Sequence, residues 1–136
     1  MVRKYSYKKD KDLKLSENFS VWEFQCKDKS DEILIDDELV DKLEQLRKKV
    51  GKITVISGYR TKEYNRTKGT SSDNSYHVQG KAATIKSDSV SLAELAKEAE
   101  GVGFKGIILD SDSVDVSIRD NLYYCNYGTV VNTFTV

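Results

Sequence analysis

Leu39, Val40, Leu43, Leu46 and Val50 recur at three- and four-residue steps, which places them on one face of a helix. Asp36 stands ahead of the stripe as a cap, and Gly51 closes it. The residues that follow, Ile53-Thr54-Val55-Ile56, are dominated by β-branched side chains and read as a buried strand. An amphipathic helix that runs into a buried strand constrains the chain to mixed α and β structure around a shared core.

The rest of the chain supports that class. Ser20-Val21-Trp22-Glu23 reads as a capping box opening a short helix that runs to about Cys26, followed by a polar loop from Lys27 to Glu32. Ser57-Gly58-Tyr59-Arg60 turns out of the first strand into a short helical stretch, Thr61 to Thr67. Lys68 to Asn74 is expected to be a loop, and Gly80 to Lys86 a second strand. Ser91-Leu92-Ala93-Glu94 is another capping box; its helix turns Leu92, Leu95, Ala96 and Ala99 inward and stops at Gly101. Gly106 to Leu109 and Val114 to Ile118 predict two strands around an acidic turn. The alternating tail from Leu122 to Val136 predicts an edge strand or packing on the sheet. The expected fold is α+β, a small and mostly antiparallel sheet packed with two to three helices.

At 136 residues the chain is one domain, long enough to bury a core without disulfide or metal staples. Residues 1–14 (Arg3, Lys4, Lys8, Lys9, Lys11 and Lys14 among them) predict a basic, solvated arm ahead of a domain over 15–136. Lys+Arg and Asp+Glu are equal at 22 each, so bulk charge argues against a nucleic-acid or membrane partner, and a monomer is expected. Cys26 and Cys125 fit no metal spacing and are expected as free thiols, Cys26 as a small buried residue. No apolar run reaches ~18 residues, and the opening residues lack a secretory leader's apolar segment, which predicts cytoplasmic synthesis.

His77 is the only histidine. Asp115 and Ser117 alternate along a predicted strand and therefore share a face. A serine nucleophile needs an adjacent base, an orienting acid and an oxyanion hole, so His77, Asp115 and Ser117 supply residue types for such a group without fixing its geometry. Asp110-x-Asp112-x-x-Asp115 lacks the glycine and bidentate glutamate of a calcium loop and reads as a polar turn.

Four segments, in order, resemble the zinc D-Ala-D-Ala carboxypeptidase superfamily, which includes phage L-alanyl-D-glutamate endopeptidases. They are Leu15-Ser16-Glu17-Asn18-Phe19 with Trp22-Glu23-Phe24-Gln25-Cys26; Ile56-Ser57-Gly58-Tyr59-Arg60-Thr61 with Tyr64-Asn65; Ser75-x-His77-x-x-Gly80-x-Ala82-Ala83; and Val114-x-Val116-x-Ile118-Arg119. The chain is most similar to the small peptidase-like branch of clostridial, prophage and phage genomes. The resemblance runs from about Leu15 to Tyr124 and implies the D-Ala-D-Ala carboxypeptidase (Hedgehog-like) fold type.

The resemblance also implies a zinc held by a histidine, an aspartate and a second histidine. By position these fall on His77, Thr84 and Asp115, and the family's acidic catalytic position falls on Ser117. A threonine hydroxyl is a poor zinc ligand, so no tightly bound cofactor is expected and zinc binding would be weak. Zinc in such a site would activate a water and polarise a peptide carbonyl. The resemblance further implies that Arg60 holds a substrate carboxylate, with Tyr59 and Ser75 beside it, so a peptidoglycan stem peptide is the expected partner. Two readings stay open. One is a binding module or redesigned scaffold, a pseudoenzyme with a degenerate zinc site that drift or engineering would equally produce. The other is a cell-wall metallopeptidase with altered ligands, delivered to the wall by a phage or prophage.

Overall fold

The computed structural model describes residues 1–68 and 74–135; positions 69–73, where most of the expected loop falls, lie outside the described residues. The order begins β1 (Val2–Ser6), α1 (Tyr7–Asp10), a 3-10 helix (Val21–Phe24), β2 (Glu32–Asp36) and α2 (Asp37–Val50). It continues with β3 (Ile53–Ser57), α3 (Lys62–Thr67), β4 (Ala82–Ser87), α4 (Leu92–Gly101), β5 (Gly106–Leu109), β6 (Val114–Ser117), β7 (Tyr123–Asn126) and β8 (Thr129–Val131). The class is α+β, with a six-stranded sheet in the order β3-β4-β6-β5-β7-β8 and a separate two-stranded sheet of β1 and β2. All pairs are antiparallel except β5 with β7.

The buried face of α2 is Leu39, Val40, Leu43, Leu46 and Val50, the stripe that the sequence spacing picks out. Asp36 caps the helix, its carboxylate accepting from the Glu38 N–H at 2.9 Å. Each leucine fully withdrawn from water here stabilises the fold by roughly 1.5–3 kcal/mol. α2 packs on α4, and α4 lies across the sheet. Ala83 and Ile85 of β4, Val114 and Val116 of β6 and Ile107 of β5 all point into this core. Because side chains alternate along a strand, Ala82, Thr84, Ile108, Asp115 and Ser117 occupy the other face, away from the helices.

Three expectations need correction. The amino-terminal segment is not a free arm: β1 pairs with β2 over five residues, and Arg3 and Lys4 meet Asp37 and Glu32 at 2.9 and 3.6 Å. The polar loop beginning at Lys27 gives way at Glu32 to β2, whose Ile33 and Ile35 are fully buried. The second strand starts at Ala82, because Gly80 still belongs to the preceding turn, with a φ of 77° and its N–H bonded to the His77 carbonyl. Both cysteines are buried free thiols. The tail supplies β7 and β8 at one edge of the sheet. Among the described residues no helix is long and apolar enough to cross a membrane.

Candidate functional site

A cleft of about 220 Å³ opens on the sheet face opposite the helices. β6 forms its floor with Asp115 and Ser117, the turn ahead of β4 supplies Ser75, Tyr76 and His77, and Arg60 and Asn65 close one side. Ala82 and Ile108 add apolar floor on either flank of β6.

His77 is buried, 6% exposed, and both ring nitrogens are engaged. Nδ1 lies 2.8 Å from the Gly58 carbonyl. A carbonyl only accepts, so Nδ1 carries the hydrogen. Nε2 then faces the Asp115 carboxylate, 3.1 and 3.2 Å from its two oxygens. An ionised carboxylate also only accepts, so a proton on Nε2 or a cation between the two groups completes the contact. Gly58 itself packs closely on the 3-10 helix: a Cβ there would sit 2.8 Å from the Phe24 Cα and ring.

The three residues that could have formed a serine hydrolase do not assemble as one. His77 has no nitrogen left for Ser117, whose Oγ instead accepts from Arg119 Nε at 2.7 Å. A nucleophilic serine needs a base on its hydroxyl, and the geometry gives it a cation.

Thr84 stands directly opposite Asp115 on the β4–β6 ladder, and opposed residues share a face. The three positions that the sequence aligns as metal ligands therefore meet on one side of the sheet. Their chemistry does not fit a three-ligand zinc centre. His77 and Asp115 are good donors, whereas the Thr84 hydroxyl competes poorly with water. Among the described residues no group of three or more His, Cys, Asp and Glu side chains could hold a metal ion. The exposed turn carrying Asp110 and Asp112 closes through the Asp110 N–H to the Ser113 carbonyl at 3.0 Å, as a polar turn.

Arg60 lines the cleft, its Nε donating to Ser57 Oγ at 3.2 Å and its Nη1 reaching Asn65 Oδ1 at 3.5 Å. Its backbone N–H binds the His77 carbonyl at 3.2 Å, which ties the arginine to the histidine turn. Ser75 also lines the cleft, with its Oγ accepting from the Val78 N–H at 3.3 Å. Tyr59 does not. It packs in the hydrophobic core, and burial, with the Glu32 charge second, raises its phenol above the ordinary range. The chain leaves β3 with successive side chains diverging, so Arg60 reaches the cleft and Tyr59 the core.

Sequence reasoning missed Arg119 and Tyr76 as cleft residues. The Arg119 guanidinium lies 4.1 Å from the Tyr76 ring centre and 5.1 Å from that of Tyr123. The available signal was that Arg119 lies two residues beyond Ser117, at the end of β6.

A family model described as Peptidase M15 matches residues 17–117, a span holding His77, Thr84, Asp115 and Ser117. No curated protein matches the chain.

Proposed function

This chain belongs to the peptidase M15 family, and we propose that it acts as a cell-wall-peptide binding domain that has given up the family's zinc-dependent catalysis. The family is zinc-dependent, and membership in it suggests an origin as a peptidoglycan-related peptidase. The observation that carries the proposal is the pairing of His77 with Asp115 beside Thr84, which leaves two strong donors where three are needed. The binding half of the cleft supports the same reading. Arg60 lines it with a planar fork suited to a peptide carboxylate, and Ser75 and Asn65 add polar groups beside it.

A second reading, a metallopeptidase with an altered centre, is favoured by one distance. His77 Nε2 and Asp115 Oδ1 stand 3.1 Å apart, close to the separation of two donors on one zinc with bonds of about 2.0–2.2 Å. The two readings part on one titration. Chelator-treated protein is titrated calorimetrically with a stem pentapeptide ending in D-Ala-D-Ala. The binding reading predicts saturable binding without metal, and Arg60→Ala weakens it about tenfold or more, as loss of a charge-assisted hydrogen bond should. Equal binding by the Arg60→Ala variant, or hydrolysis of the peptide once zinc is supplied, would overturn it.

A further inference from the structure

We infer that Arg119 is an anion-receiving residue of the cleft, recognising a carboxylate on the bound peptide other than the one Arg60 takes. The inference rests on the peptide-binding reading and narrows its ligand to an acidic peptide. Arg119 is half-buried and fixed from three sides: its Nε donates to Ser117 Oγ at 2.7 Å, and the rings of Tyr76 and Tyr123 flank the guanidinium at 4.1 and 5.1 Å. A hydroxyl and two rings hold the cation in place, and none of them neutralises it. The carboxylate in the cleft lining, Asp115, is turned to His77.

The bond to Ser117 uses Nε. The two terminal nitrogens of the planar fork can still take a carboxylate side by side. Space for this arrangement is written into β5. Gly106 stands opposite Ser117, and a Cβ there would overlap both Ser117 Oγ and Arg119 Nε. A glycine at that point leaves room for the arginine to lie across the strand, where it lines the cleft. An ordered, partly desolvated guanidinium loses less freedom on binding than a surface one, which favours recognition of a charged group over a neutral one of the same shape.

The test uses the full chain after chelation and two stem pentapeptides that differ in one group: the glutamate carboxylate free, or amidated. The wild-type protein is expected to prefer the free acid about tenfold. Arg119→Met removes that preference, so that the variant binds the free-acid and amidated peptides equally. Ser117→Asp, which keeps the arginine and supplies it with an internal carboxylate, removes the preference too. Equal affinity of the wild type for both peptides, or a preference that survives Arg119→Met, overturns the assignment and leaves the Arg60 cleft standing. Binding of neither peptide overturns both readings. Loss of both peptides with a lowered melting temperature in Arg119→Met, together with a preference retained in Ser117→Asp, shows that the arginine only supports the fold.

Discussion

Gly58 serves the site through its carbonyl and its missing side chain. The carbonyl accepts from His77 Nδ1 and so fixes which nitrogen faces Asp115. The absent Cβ lets Phe24 close over the turn. Gly58→Ala is expected to destabilise the protein by about 1–3 kcal/mol, because the obstruction includes the Phe24 backbone and not only a flexible side chain. Chemical denaturation would measure it, and an unchanged midpoint would refute the packing argument. Single residues were legible in the sequence where a local pattern names them, as His77 and Arg60 show. Tyr59 was not, since adjacency to Arg60 says nothing about which way each side chain leaves the chain. Arg119 escaped for a different reason: its surroundings come from the turn holding Tyr76 and from β7, elements distant in sequence.

Helix α3 shows how one element depends on a loop far from it. Thr61 caps α3 by accepting from the Tyr64 N–H at 3.1 Å, and its own hydroxyl donates to Asp28 at 2.7 Å. Asp28 thereby joins the loop after the 3-10 helix to the segment that carries Arg60. Burial works against the Asp28 charge, but the Ser30 N–H and the Thr61 hydroxyl outweigh it and hold the carboxyl at about 2. A carboxyl depressed in the folded state contributes stability that is full above its ordinary value near ~4 and is lost as pH falls through about 2. Asp28→Asn should therefore lower the urea midpoint at pH 7, with variant and wild type converging near pH 2. Equal midpoints at pH 7 would show that this tether contributes nothing. Helices α2 and α4 were readable with their caps because those signals are local: Asp36 and Ser91 each accept from the N–H their position predicts, whereas Thr61, read as the first helical residue, is the cap of α3, and α1 lay hidden in the basic segment. β1 was not readable, because a segment holding Arg3 and Lys4 looks like a solvated arm until Asp37 and Glu32 are brought beside it, and β2 was passed over because its partner strand was.

The whole molecule separates its two tasks by the faces of one sheet. Helices α2 and α4 bury one face, and the other carries Thr84, Asp115 and Ser117 and the cleft beside them. That division lets residues on the cleft face change without disturbing the core, and the family match runs over residues 17–117, through both faces. The fold class followed from the order of periodic segments, and the meeting of Thr84 with Asp115 followed only from the ladder that pairs β4 with β6. The loss of the metal centre is tested most directly by zinc affinity in competition with a chromogenic chelator, on the wild type and on the triple variant Thr84→Asp, Asp115→His, Ser117→Asp. The wild type is expected to hold no zinc tightly and the variant to gain affinity clearly, because its exchanged donors stand on the same face. About one tightly held zinc per wild-type chain would contradict it.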